Sequence, residues 1–475
     1  MDYKLERFAL IVPYYRNPTM LGFQIREWEK YPPEVELVLV DDGSPEPAEA
    51  VLREKATPEL LKRVKLYRIE DDIPWNRGGA RNLGAHVAES PWILHVDIDH
   101  VLPAECVQPL LNATISTDSW YKFERYRVGK ADDTRLKDEI PNDLEYGKIK
   151  PHMDSYLISK RMYWEAGGYD EDYSGSLGGG TPFVRYLATI GLSAIMLGGM
   201  HLHVYTRSVA KDASDWALDR SHDRYTEINK QKRKNGHPKG VNPLRFKWKR
   251  IRVGYPSVIG EFDTVRKLLE GNSIARFGDG EFKLIEGAAQ IREPANRMLG
   301  DELKRIIRVN DGLTCLRGIP TMDGRGAKFV NWSKHYERFS RNLNPRAQYY
   351  SAFISRPDSA QWIHNVEYAE LLSQLWKDKE VVVVSEPTNS MVKVLELQAA
   401  KVIKIECPSY ETYAVIDELE KAILKTGLKI AFLCCGPAAS CLAYRLSKQG
   451  VQTIDAGSMG GFVLKLLKTN DKKHS

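Results

Sequence analysis

Two short stretches set acidic side chains one residue apart behind an apolar run: "ILHVDIDH", Ile93 to His100, and "SIARFGDGEF", Ser273 to Phe282. Along a strand, alternation puts Asp97 and Asp99 on the same side, where two carboxylates hold a divalent cation through oxygen. Such a cation can neutralise a diphosphate as it leaves an activated sugar. The plain alternative is a solvated strand-end turn. In the second stretch Gly278 and Gly280 flank Asp279 and Glu281, so the backbone can turn sharply and approach a ligand closely, while Arg276 offers a fixed charge to phosphate. Here the alternative is a tight hairpin turn with solvated acids.

Both stretches sit in the same kind of surroundings. In the first half "RFALIVPYY", "VELVLVDDGS", "VKLYRIE" and "PWILHVDID" read as strands, and "ARNLGAHVAES" reads as a helix. In the second, "SIARFGDGE", "EVVVVSEPTNS", "VIKIECPSY" and "LKIAFLCCGPAAS" are apolar runs, most of them entering small or polar turns and then helices. Strands alternating with helices predict α/β domains with parallel sheets, ligands binding at the carboxyl ends of the strands. Two Rossmann-like domains are expected, without a G-x-G-x-x-G fingerprint.

The 475 residues suit two domains, and 43% hydrophobic with 28% charged residues is the composition of a globular protein. The start, "MDYKLERFALIVPYY", lacks the long apolar run of a secretory signal. The longest uncharged stretch, Tyr186 to Met200, is short and broken by glycines, and reads as buried helix end and strand. Six cysteines without a C-x-x-C pair read as buried thiols and fit a reducing cytoplasm.

The net charge of +6 is concentrated: Lys230 to Arg252 holds ten Lys or Arg and no acid. This break divides the chain into domains 1–229 and 255–475 with a basic linker, 230–254. The linker can be a solvated connector, or can meet an anionic membrane surface or a nucleic-acid backbone, with Phe246 and Trp248 interleaved.

Five motifs, "IVPYYRN", "LVLVDDGSP", "NRGGARNLGA", "HVDIDH" and "GGYDEDY", occur in the order and approximate spacing of the GT-A glycosyltransferases of family 2, and the first half, Arg7 to Arg207, resembles that family. The resemblance implies that the first strand, with Pro13 and Tyr15, and Asp41 and Asp42 hold the nucleotide, and that Arg81 and Asn82 lie near the donor diphosphate and sugar. Asp97 and Asp99 would be metal ligands, with His203 of "HLHVYTR" as the third or His201 in its place. Many relatives follow "GGFDEDF" with an acidic pair that serves as general base, and here Gly179 and Gly180 stand there. Asp170 and Asp172 are the nearest substitutes as the catalytic base; a retaining reaction without that base, or a non-catalytic half, are the other readings.

"SIARFGDGEF", "FISRPDS", "VVVVSEP", "IECPSYETYAVIDEL" and "CCGPAASCLAYRLSKQGVQTIDAG" make Tyr255 to Asn470 resemble the GT-D glycosyltransferases. That fold uses an Asp-x-Glu metal motif, here Asp279 and Glu281, and a nucleotide-sugar donor. "CGPAAS" ends a strand and opens a helix, so amides around Gly436 and Ala438 can receive a diphosphate. Ser385, Glu386 and Asp455 end neighbouring strands; Glu386 could bind acceptor, bind ribose or cap the next helix. Arg356 is a phosphate contact or a surface ion pair. After "IDAG" the chain gives "SMGGFVLKLL" where a polar, acidic and aromatic continuation is expected.

Together these readings predict a cytoplasmic, membrane-associated glycosyltransferase with two sites. It would use Mn2+ or Mg2+ and UDP-linked nucleotide sugars to extend a glycan, glycolipid or glycoprotein acceptor in two successive transfers. The alternatives are a GT-D enzyme with a non-catalytic GT-A module, and transfer to hydroxymethylated bases of DNA.

Overall fold

The computed structural model describes residues 2–128, 146–176, 180–205, 222–233, 244–309, 314–322, 332, 334–355 and 366–464. Gly179 and Arg356 lie outside the described residues. The chain divides into two compact units, Met1–Gly254 and Tyr255–Ser475. Among the described residues no helix is long and apolar enough to cross a membrane.

The first unit contains β1 (Asp2–Lys4), β2 (Phe8–Tyr14), β3 (Val35–Asp41), β4 (Val64–Ile69), β5 (Trp92–His95), β6 (His100–Val101), β7 (Thr114–Ser116), β8 (Ser119–Val128), β9 (Tyr146–Ile149), β10 (Tyr156–Ser159), β11 (Ser193–Tyr205) and β12 (Trp248–Ile251). The main sheet runs β12-β4-β3-β2-β5-β10-β8-β11-β6, with β9 beside β8. From β4 to β5 neighbours are parallel. The chain steps outward from β2 to β4 and returns on the other side as β5, so a crevice opens at the carboxyl ends of β2 and β5.

Both faces of these strands are buried, which is why β2 and β3 are continuously apolar. Leu10, Val12, Leu37 and Leu39 enter one core cluster, and Ala9, Ile11, Val38 and Val40 enter the other. Each such side chain contributes about 1.5–3 kcal/mol when fully buried. Helix Arg77–Val87 lies on the second face, where a Cβ at Gly84 would run into the Ile11 side chain.

Two local expectations change. The apolar run ends as a strand at His95, and a turn follows, with His100 N–H donating to Asp97 O at 2.9 Å. Tyr186 to Met200 does form a helix end and strand, but Ile195 and Met196 are exposed. Farther along β11 there is a bulge: Leu197 faces Phe123 and His201 faces Glu124, so β11 advances four residues while β8 advances one. Gly199 lies inside it at φ +76°.

The basic stretch contributes to this unit along its described length. Helix His222–Arg233 contains Lys232, which pairs with Asp170 and Asp172. β12 adds antiparallel to β4, and Phe246 is buried in the second core cluster. Arg245 faces Asp172 at 3.6 Å and Lys249 faces Glu70 at 2.9 Å.

The second unit contains β13 (Val258–Ile259), β14 (Ser273–Arg276), β15 (Cys315–Ile319), β16 (Tyr349–Ser351), β17 (Glu380–Ser385), β18 (Lys401–Glu406), β19 (Ile430–Cys434) and β20 (Gln452–Asp455). They form a parallel sheet in the order β13-β16-β15-β14-β20-β19-β17-β18. Val382, Val384, Ala431 and Leu433 pack on one face, and Val381, Val383, Phe432 and Ile454 on the other. The strand order reverses between β14 and β20, which end in Arg276 and Asp455. All six cysteines are buried and free.

Candidate functional site

In the first unit Asp97 stands at the crevice, just past β5. Its carboxylate is ion-paired with Arg81, and Arg77 Nη1 and His152 Nδ1 lie 4.0 and 3.4 Å away. Burial opposes its charge, yet the Arg81 and Arg77 guanidiniums hold it well below the usual carboxylate range. Arg81 is itself fully buried, 5.5 Å from the Tyr169 ring centre.

Ligand atoms of Asp97, His100 and His152 are close enough to surround one cation. His100 is neutral, its pKa pushed down to about 4 chiefly by burial, with Ser155 Oγ at 2.5 Å from Nδ1 and Arg125 Nη1 at 3.1 Å from Nε2. Asp99 is partly buried and lies outside this group, because a turn has replaced the alternation that would align it with Asp97. His203 belongs to a different group, with Glu105 and His201.

The strand-end residues divide by what they already bind. Asp41 accepts from Ser44 N–H, Ala48 N–H and Arg68 Nη1 at 2.8, 3.0 and 2.9 Å, so it anchors the turn after β3. Asp42 accepts from Asn76 Nδ2 at 3.2 Å, and burial beside the Asp41 charge pushes its pKa up to about 7. Pro13 is partly buried near the end of β2, and Tyr15, just beyond, has the Arg16 guanidinium 5.1 Å from its ring centre.

Asn82, fully buried, has its side-chain amide committed to the protein. Nδ2 donates to Tyr169 O and Glu171 Oε1, both at 2.9 Å, while Oδ1 accepts from Tyr163 Oη–H at 2.6 Å and Tyr169 N–H at 2.9 Å. It holds the Tyr169–Glu171 segment in place, which leaves no amide hydrogen for a diphosphate.

That segment borders a cleft lined by Trp75, Arg77, Gly78, Tyr169, Asp170 and Gly180. Asp170 caps the short helix after it, accepting from Asp172 N–H at 3.1 Å, and also binds Lys232. Asp172 binds the same lysine at 2.7 Å. Both candidate bases therefore carry a counter-charge. Gly180 has a steric reason: a Cβ there would fall 2.8 Å from Asp154 Cγ. Asp154 is buried, pairing with Arg77 Nη2 at 2.8 Å and accepting from Tyr169 Oη–H at 3.0 Å.

In the second unit Arg276 and Asp455 meet where the strand order reverses. Asp455 Oδ2 accepts from Arg276 N–H at 3.2 Å and Oδ1 lies 3.4 Å from Nη2. Arg276 also donates to Ser355 Oγ and Ala352 O, and Ser440 Oγ donates to Arg276 O. Burial raises the Asp455 carboxyl against the pull of Arg276.

Glu281 accepts from Gly278 N–H at 2.7 Å, and burial with the nearby Asp455 charge pushes its pKa up to about 7. Asp279 faces other partners, Lys283, Arg338 and His335, at 2.5, 2.9 and 3.5 Å. Burial raises its carboxyl, but these cations hold it below its ordinary value. Both lie in the first turn of helix Asp279–Ile285, Asp279 at its first position and Glu281 at its third, and they meet different partners. Neither is in a three-ligand group among the described residues. Gly278 and Gly280 do not have positive φ, and Gly280 has no atom nearer than 3.8 Å to a Cβ position.

The remaining strand ends lie along the same sheet. Glu386 pairs with Arg292 at 2.5 Å, and Asn389, not Glu386, caps the following helix. Ser385 is buried with its hydroxyl on Glu386 O at 3.0 Å. Gly436 turns with φ +62°, and Ala438 is buried at the start of helix Ala438–Ser447.

Sequence reasoning missed Arg77, His100, His152, Asp154 and Arg338. His100 directly follows the acidic pair and Arg77 is the second residue of "NRGGARN", which were the available local signals. The others come from distant segments.

Residues 9–171 match glycosyl transferase family 2, and residues 274–460 match the glycosyltransferase GT-D fold. Glycosyltransferase GlyD of Streptococcus pneumoniae is 27% identical over 214 residues, 42% of this chain and 26% of that protein. The probable glycosyl transferase Gly of Streptococcus gordonii is 28% identical over 215 residues, 42% of this chain and 32% of that protein. The match thus spans about a quarter to a third of these relatives. Among solved structures, a glycosyltransferase of domain of unknown function 1792 from Streptococcus sanguinis is 23% identical, with 45% of this chain and 86% of that chain covered and a TM-score of 0.41.

Proposed function

We propose that this chain, which joins a family 2 glycosyl transferase half to a GT-D fold half, transfers sugars from nucleotide-sugar donors to a glycan, glycolipid or glycoprotein acceptor at two sheet edges in succession. The observation that carries the reading is the Arg276, Asp455 and Glu281 arrangement at the strand-order reversal of the second unit. A carboxylate with its pKa near 7 beside an arginine is suited to general-base work at neutral pH.

In the second half, Glu281 takes the proton of the acceptor hydroxyl as its oxygen attacks the anomeric carbon, and the bond from that carbon to the diphosphate breaks. Arg276, with Arg338 and Arg292 at the same sheet edge, draws the leaving diphosphate. The surroundings of Asp279 and Glu281 do not gather them around a shared cation, and no step here is routed through one. In the first half, Asp97, His100 and His152 would hold a divalent cation, with Asp42 oriented by Asn76 for the nucleotide. When bound, the cation supplies charge neutralisation for the diphosphate.

A second reading is favoured by one observation, the neutralisation of Asp170 and Asp172 by Lys232. In it the first half binds acceptor without catalysing. The test is hydrolysis and transfer from a panel of nucleotide sugars with Mn2+. Wild type is compared with Asp97→Ala plus Asp99→Ala and with Asp279→Ala plus Glu281→Ala. Successive transfer at two sites predicts that one pair stops growth before any sugar is added and the other stops it after the first sugar. Loss of the first addition from both pairs contradicts independent sites, and no effect of the first pair supports the binding module.

A further inference from the structure

We propose that Glu105, His201 and His203 form a second metal site in the first unit, built for a divalent transition ion of the zinc class and separate from the Asp97 group. His201 and His203 are two residues apart on β11 and so project to the same side. Their Nε2 atoms are 3.2 Å apart. Two imidazole nitrogens bound to one tetrahedral zinc ion at about 2.0–2.1 Å stand about 3.3 Å apart. The pair is already at the spacing that a shared ion imposes.

The third ligand comes from another element. Glu105 lies in the first turn of helix Ala104–Leu111, is exposed, and has a carboxylate oxygen within 4.8 Å of a ring nitrogen of each histidine. The donor set of two imidazoles and one carboxylate suits zinc better than magnesium or calcium, which take oxygen ligands.

The surroundings also orient one ring. Cys106 Sγ, buried in the same helix, lies 3.5 Å from His201 Nδ1. With the Nδ1 proton directed to sulfur, the Nε2 lone pair is left toward His203 and the ion. An ion held here would tie β11 to helix Ala104–Leu111 immediately after the bulge.

The test uses the full chain, stripped with chelator and titrated with Zn2+ against a chromophoric competitor, with Co2+ as a spectroscopic probe. His203→Gln and Glu105→Gln should each weaken binding of one Zn2+ equivalent at least tenfold, since even losing an outer partner of a ligand costs about 10–100-fold. His152→Ala should retain that equivalent. Co2+ should give the intense visible band of a tetrahedral site in wild type but not in His203→Gln. No bound equivalent in wild type, or equal binding by Glu105→Gln, overturns the proposal. So does loss of the same equivalent in His152→Ala. Glu105 is exposed, so its variant remains informative even where His203→Gln does not fold.

Discussion

The carboxylate of Asp154 occupies the space that a side chain at position 180 would fill, with Asp154 Cγ 2.8 Å from a Cβ built on Gly180. Restoring an acid there by Gly180→Asp is therefore expected to destabilise the first unit by about 1–3 kcal/mol through overpacking, displacing Asp154 from Arg77 and Tyr169. Combining Gly180→Asp with Asp154→Gly should recover much of the loss. Denaturant midpoints for the two single variants and the double variant measure the coupling, and strict additivity would contradict the steric account.

Arg81 is fully buried and Asp97 partly so, and removing only the arginine leaves that carboxylate with the more distant Arg77 at 4.0 Å. Arg81→Ala should cost about 3 kcal/mol, the low end for a buried pair. Arg81→Ala with Asp97→Asn should be milder than the single change. Urea denaturation followed by circular dichroism distinguishes the two.

Glu281 should make stability and turnover move in opposite directions with pH. Its folded pKa is raised from 4.5 to about 7, so its favourable contribution is complete below 4.5 and is lost as pH rises through 7. A base must be ionised, so kcat/KM for transfer by the second half should rise over the same interval. Glu281→Gln should flatten the stability profile and remove the rise in activity. An unchanged pH-rate profile in that variant would exclude Glu281 as the base.

Lys232 is the partner that makes Asp170 tolerable in its buried place. Lys232→Ala should lower stability by about 3 kcal/mol, and adding Asp170→Asn should restore most of it. The melting temperature of the full chain, compared across the two variants, reads the effect.

Much of the architecture was legible because local pattern and global fold agree. The valines of "EVVVVS" and the alternating faces of "FALIVPY" require sheets covered on both sides, and both are central strands. The sheet edges bearing the site followed from that. The side-chain pairings did not, because they join segments far apart in sequence. Asp170 meets Lys232 and Gly180 faces Asp154, and nothing local to "GGYDEDY" announces either. The resemblance puts Asn82 near the donor diphosphate and sugar, and its amide bonds to Tyr163, Tyr169 and Glu171 are a further set of long-range pairings that the motif does not announce.

The bulge in β11 adds three residues relative to β8, an odd number. In an unbroken strand, residues five apart point to opposite faces, yet Leu197 and Leu202 both belong to the same core cluster. The bulge therefore acts as a parity switch for everything downstream. Deleting one residue between Gly198 and Met200 would leave Leu197 and Leu202 four apart, so plain alternation would keep both on the core face and His201 and His203 on the other. Deleting two would leave them three apart and turn Leu202 out. At this point in the chain, a deletion is constrained less by its size than by whether it is odd.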